Sequence, residues 1–112
     1  MAAEAFLALA LGLPEAALSS HMGNADIRVR GRIFAQPPGA SGAAIVKLTP
    51  EQQEMLCEAE PSIFSPEDGY WGRAGWTRLT VAAADQATAS GALWTAWRNV
   101  APKTLAKAHA PA

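Results

Sequence analysis

The sequence is poor in the residues from which most chemistry is built. Among its 112 residues there is a single cysteine, Cys57, and there are two histidines, His21 and His109. One thiol excludes an internal disulfide and a cysteine-based zinc cluster. It also fits a reduced, cytoplasmic setting. A catalytic pair of Cys57 with His21 would need a third, orienting group and spatial contact. Cys57 instead follows Leu56 inside a helical stretch, which marks it as a small semi-buried residue. His21 has no second histidine to share a metal with, because His109 lies in the tail. No Gly-rich phosphate loop with its lysine, nucleophile elbow or HExxH motif is present. Glu51, Glu54, Glu58 and Glu60 form a solvated helix face and not an acid–base pair. The expectation is therefore a protein without catalysis, bound cofactor or metal.

Charge of one sign is lacking as well. Nine Lys and Arg face ten Asp and Glu, a formal net charge of −1. A nucleic-acid-binding domain usually carries a basic surplus or a basic stripe. Long apolar runs are missing too. The stretch FLALALGL at positions 6–13 is far shorter than the ~20 residues that span a bilayer. Glu4 precedes it where a signal peptide would place Lys or Arg, so it reads as an ordinary helix. No membrane partner is implied.

What is there is half apolar residues in a chain of single-domain length. The pattern predicts one α+β domain over residues 1–107, with 108–112 a frayed tail. Phe6, Leu9, Ala10 and Leu13 form the stripe of a first helix, stopped by Gly12 and Pro14. Residues 17–22 read as an edge strand. Ile27 and Val29 alternate with Arg28 and Arg30, and Gly31 turns the chain into a returning strand, Arg32-Ile33-Phe34-Ala35. Residues 43–48 (AAIVKL) are a further strand. Thr49-Pro50-Glu51-Gln52 is a helix start with capping box and N-terminal proline. Met55, Leu56 and Ala59 give that second helix its apolar face, and Pro61 ends it. A short extended piece at 62–64 and a turn at 66–69 follow. Tyr70-Trp71-Gly72-Arg73-Ala74-Gly75-Trp76-Thr77 reads as a tight corner with Trp76 buried, Trp71 partly exposed and Arg73 accessible. It seats the third helix against the last strand, 77–81. That third helix is capped by Asp85 and striped by Ala89, Ala92, Leu93, Ala96, Trp97 and Val100. Beyond Lys103 the chain is expected to fray. The order α-β(3-4)-α-β(2)-α implies a two-layer sandwich, one mainly antiparallel sheet covered by helices.

Several segments together carry a resemblance. Ser20-His21-Met22-Gly23, Asp26-Ile27-Arg28-Val29, Gly31-Arg32-Ile33-Phe34-Ala35, Lys47-Leu48-Thr49-Pro50-Glu51, Trp71-Gly72-Arg73-Ala74-Gly75-Trp76-Thr77 and Ala96-Trp97-Arg98-Asn99-Val100-Ala101-Pro102-Lys103 occur in that order. The chain resembles the MmcQ/YjbR-like family of small bacterial proteins over about residues 3–107. The resemblance implies a fold akin to secretion chaperones and the CyaY group, and a "double-wing" mode of DNA binding inferred from fold. The chain departs from the family pattern in having Ala25 and Ile27 where a proline and an aromatic are common. Asn24 stands where a histidine is frequent.

The residues themselves leave two readings open. Arg28, Arg30 and Arg32 around Gly31, with Lys47 and Arg73, can present guanidinium and ammonium groups to phosphates as a weak, backbone-directed DNA contact. Equally, the hairpin can be a solvated face paired with acids such as Asp26. The alternative function is a protein-interaction or chaperone-like domain using an exposed face around Trp71 and Trp94.

Overall fold

The computed structural model describes residues 1–21 and 23–109; Met22, residues 110–112 and the side chain of His21 lie outside that description. Helix α1 (Ala3–Leu11) is followed by β1 (Ala16–His21), β2 (Asn24–Val29), β3 (Arg32–Gln36) and β4 (Ala43–Lys47). Then come α2 (Pro50–Ala59), β5 (Phe64–Pro66), α3 (Gly69–Arg73), β6 (Trp76–Thr80), α4 (Gln86–Val100) and α5 (Lys103–Ala108). The strands form one sheet in the order β1-β2-β3-β4-β6-β5, with every neighbouring pair antiparallel. This is the expected two-layer α+β architecture.

Helices α1 and α4 cover one face of the sheet. Phe6 and Ala10 of α1 and Ala89, Leu93, Ala96 and Trp97 of α4 are fully buried, together with Ile27, Val29, Phe34, Val46 and Leu79 of the sheet. Trp97 also donates its indole N–H to the Pro14 carbonyl at 2.9 Å, so its one polar atom is satisfied. Burying an indole removes on the order of 150–250 Å² from water, worth at most roughly 4–6 kcal/mol. The stripe on α4 was plain in the sequence, and it holds the core.

Local signals explain the element boundaries. Thr49 Oγ1 accepts from the Gln52 amide at 3.2 Å and Gln52 Oε1 accepts from the Thr49 amide at 2.9 Å, closing the capping box of α2. Asp85 Oδ1 accepts from the Thr88 amide at 2.7 Å and starts α4. Between β2 and β3 only Arg30 and Gly31 remain, at φ 51° and 79°. Two consecutive left-handed residues make a type I′ turn, the form that suits the twist of a hairpin. Arg30 is not a residue that adopts this region easily.

One irregularity in β3 matters for everything that follows. Ile27 pairs with Ala35 and the next residue, Arg28, pairs with Ile33, so Phe34 is an extra residue in β3. This is a β-bulge. It lets Phe34 and Ala35 both face the core, each fully buried. It also brings Ile33 and Gln36, three residues apart, to the uncovered face of the sheet.

Five local expectations need correction. Met55 is 63% exposed, because α2 packs along the short edge strand β5 and buries no residue completely. The aromatic corner contains a helix, α3, which at five residues is too short to show periodicity. Trp76 there is half-buried, not buried. The chain after Pro102 does not fray at once, since Lys103–Ala108 is helical and tucks Leu105 and Ala106 against the core. The last strand ends at Thr80, and Val81 begins a single 3₁₀ turn.

Candidate functional site

The five cations singled out in the sequence do not converge. Arg28 lies on the uncovered face and forms a two-pronged bond with Asp26, at 2.8 and 3.1 Å. That bond raises the Arg28 pKa further and ties up the fork of its guanidinium. Lys47 donates to the Ala74 carbonyl at 2.7 Å and lies 5.3 Å from the centre of the Trp76 ring. Arg73 is exposed in the last turn of α3, ahead of β6 and outside the recess that Arg30 and Arg32 line. Only Arg30 and Arg32 share a surface.

That surface has two further members which sequence reading missed. Arg30, Arg32, Arg98 and Lys103 line one recess of about 490 Å³, completed by Asn99 and the chain from Val100 to Pro102. No acidic residue lines it. Arg30 is the one of the four with a carboxylate partner among the described residues, Glu15, at 2.5 and 2.9 Å. The Arg30 guanidinium, through that bond, holds the Glu15 carboxyl below its ordinary range.

Each member is placed by a local rule. The type I′ turn projects Arg30. The bulge puts Arg32 on the helix side of the sheet, opposite Val29. Arg98 sits in the last turn of α4, where a cation complements the helix dipole. Its guanidinium lies 5.2 Å from the centre of the Trp94 ring, and its buried Nε–H has no acceptor among the described residues. Pro102 ends α4 and sends Lys103 back past the recess. Asn99 fixes the wall by donating to the Lys47 carbonyl at 3.0 Å and to Gln52 Oε1 at 2.8 Å. The missed pair had one sequence signal: two cations bracketing a helix stop, Arg98 and Lys103 about Pro102. Like charges gathered without acids repel, and a bound anion relieves that repulsion.

The aromatic corner is built differently. Gly72 packs directly on the backbone of Glu67, and Gly75, at φ 108°, on the Leu48 carbonyl. Gln53 of α2 directs its amide nitrogen at three acceptors, the carbonyls of Gly72 and Trp76 and the hydroxyl of Thr77, at 3.0, 3.1 and 3.1 Å. The corner is thus clamped to α2, not seated under α4 as its sequence suggested. Trp71 stays 59% exposed, meeting Trp76 edge-on at 6.3 Å. Trp94 is half-buried in the opposite layer, edge-on to Trp97. Trp71 and Trp94 therefore do not form one surface.

Cys57 is half-buried in α2, and desolvation pushes its thiol pKa up, away from thiolate chemistry. Among the described residues no three His, Cys, Asp or Glu side chains gather closely enough to hold a metal ion. Nor is any helix among them long and apolar enough to cross a membrane.

The family model named YjbR matches residues 11–99. The chain belongs to the YjbR family. The match spans α1's last residue to the Asn99 wall of the cationic recess, so the family region contains Arg30, Arg32 and Arg98 and stops short of Lys103. The fold is similar to the crystal structure of Deinococcus radiodurans protein DR2400, which carries a domain of the family DUF419. The TM-score is 0.70 at 18% identity, over 90% of this chain and 79% of that one. No curated protein matches the chain.

Proposed function

We propose that this YjbR protein is a small, non-enzymatic, cytoplasmic module that binds DNA weakly through its phosphates, at the recess lined by Arg30, Arg32, Arg98 and Lys103. The observation that carries the reading is the gathering of four cations around one acid-free recess in a chain whose net charge is −1. Acids elsewhere, chiefly Glu51, Glu54 and Glu58 around a second recess on α2, account for the overall neutrality. Charge is segregated, and local charge decides which polyanion docks where. Arg30 supports the reading in another way. A long charged side chain occupies a turn position where asparagine or glycine fits with less strain.

Arg30, whose partner Glu15 is exposed where Asp26 is buried, can exchange that carboxylate for a phosphate. Four phosphate contacts then imply a salt slope near −3.6, so affinity falls by about 150-fold between 50 and 200 mM salt. Retention on a DNA column at low ionic strength, eluting in that range, is the expected result. Arg32→Glu with Lys103→Glu, two exposed residues outside the core, abolishes retention while the thermal midpoint holds. Absence of any retention at low salt, or an unchanged elution of the double variant, refutes the proposal.

A further inference from the structure

The uncovered face of the sheet carries a third recess, on residues other than those of the cationic corner. It has a volume of about 410 Å³ and an apolar floor, Ile33 and Ile45, which the register sets side by side with Gln36 on the solvent side of β3 and β4. Trp71 and Trp76 form two walls meeting at 74°. Glu67 and Asp68 stand at the rim. Apolar side chains on a solvent-facing sheet surface, roofed by an aromatic ring that is itself exposed, are a costly arrangement without an occupant.

The charges define that occupant. Arg78 bonds both rim carboxylates, Nε to Glu67 at 2.9 Å and Nη2 to Asp68 at 3.2 Å. One guanidinium offsets one of the two acids, and the Lys47 ammonium against Trp76 offsets the other. The recess is thus close to neutral, which disfavours a strongly charged ligand. It nevertheless offers acceptors. The Asp68 side chain is 90% exposed and uses one oxygen on Arg78, leaving lone pairs directed at solvent. The matching ligand is a flat ring, able to stack on indole, with N–H donors along one edge. The volume is at the small end of ligand pockets, enough for one base with its sugar. Guanine presents two adjacent donors, N1–H and N2–H₂, to a single carboxylate.

The recess is open at one end. It shares Gln36, Ile45 and Glu67 with a larger trough, of about 610 Å³, that runs past Pro37 and Pro38 to Asn24. A chain attached to the bound ring can therefore enter and leave along the sheet. We infer that the cleft between Trp71 and the Ile33–Ile45 floor receives an unpaired guanine base of a single-stranded nucleic acid, stacked on indole and read at its donor edge by Asp68. The inference names the same partner class as the phosphate-binding corner, but it stands on different residues and fails separately from it.

The indole N–H resonances of Trp71, Trp76, Trp94 and Trp97 report binding by position in a two-dimensional ¹⁵N–¹H spectrum. Titration with guanosine, an uncharged probe, shifts Trp71 and Trp76 in a saturable way and leaves Trp94 and Trp97 in place. A short guanine-containing single strand does the same at lower concentration, and its duplex does not. Trp71→Ala weakens guanosine binding by about 5- to 150-fold, the range for loss of one base stack, and Trp71→Phe restores most of it. Asp68→Asn removes the preference for guanosine over adenosine. The Arg32→Glu, Lys103→Glu variant keeps the guanosine response even where it has lost DNA retention. No shift up to the solubility of guanosine, shifts centred on Trp94, or a response to guanosine but not to the single strand overturns the inference.

Discussion

The sharpest test of how the aromatic corner is built compares one substitution, glycine to alanine, at two places. Gly75 has φ 108°, a conformation L residues rarely adopt, and an added Cβ would overlap the Leu48 carbonyl. Holding a non-glycine residue there costs about 1–3 kcal/mol in backbone strain. Displacing packed backbone adds about 1–3 kcal/mol more. Gly75→Ala therefore destabilises by about 2–6 kcal/mol, a large fraction of the 5–15 kcal/mol available to a domain of this size. The displacement has no easy outlet. The Gly75 carbonyl accepts from both the Leu48 amide, at 3.1 Å, and the Thr77 hydroxyl, at 2.9 Å. Gly91 is the control. It lies inside α4, and a Cβ there meets nothing within 4 Å. Gly91→Ala gains about 1 kcal/mol from helix propensity. At about 4 °C per kcal/mol, the thermal midpoint falls by roughly 8–24 °C in the first variant and rises by roughly 4 °C in the second. Circular dichroism melts with urea titrations measure both. A Gly75→Ala protein within 1 kcal/mol of the parent, by the criterion of an unchanged midpoint in about 4 °C, would refute the close-packed corner.

Three further outcomes follow from the same structure. Arg30→Asn eases the left-handed turn and gives up only an exposed pair with Glu15, so the melting midpoint holds or rises, while the salt slope of DNA binding becomes shallower by about 0.9; a lower midpoint with an unchanged slope would show that Arg30 serves the fold and not a phosphate. Gln53→Ala strips the donor shared by Gly72, Trp76 and Thr77, costs about 1–3 kcal/mol and speeds amide exchange across α3, whereas unchanged exchange there would deny the clamp. The third concerns acid. Glu15 is held low by Arg30, and Asp85 by the Thr88 amide it caps, both below their ordinary values of 4.5 and 3.8. Depressed carboxyl pKa values contribute stability that is present above those values and lost as the pH drops below them. Stability thus falls below about pH 4.5, and Asp85→Asn, which keeps a cap acceptor, removes the Asp85 share of that fall; an identical acid profile in the variant would contradict it.

The parts of the fold legible in the sequence were those written in local chemistry. Thr49-Pro50 with Gln52, Asp85 before Thr88, and the six-residue stripe of α4 each state their structure within a few positions. Gly31 announced its hairpin in the same way. What stayed hidden depends on neighbours distant in sequence. Met55 carries the right spacing for a core residue but sits on a helix that rides the edge of the sheet. The five residues of α3 are held by Gly72 and Gly75 against backbone and by Gln53, none of which propensity records. The candidate site was half visible for the same reason. Arg30 and Arg32 were found because they flank a turn, while Arg98 and Lys103 lie some 70 positions away and meet them only through the sheet order. The pairing of Arg28 with Asp26 was one of the two readings the sequence left open, and it is the one Arg28 follows.

The extra residue in β3 sets the handedness of the whole surface. Alternation along a strand is a parity rule, and Phe34 breaks it once. On its C-terminal side Gln36 points to the aromatic cleft; on its N-terminal side Arg32 points toward the end of α4. Pair the strand regularly at the same length and, with Ala35 still held by Val46, Phe34 turns outward, Ile33 enters the helix layer and Arg32 changes sides. The cationic recess loses a member and the cleft loses its floor together. A single unpaired position thus assigns the two candidate binding sites to opposite sides of one sheet, and a homologue with a regularly paired β3 of the same length is expected to keep the fold and lose both.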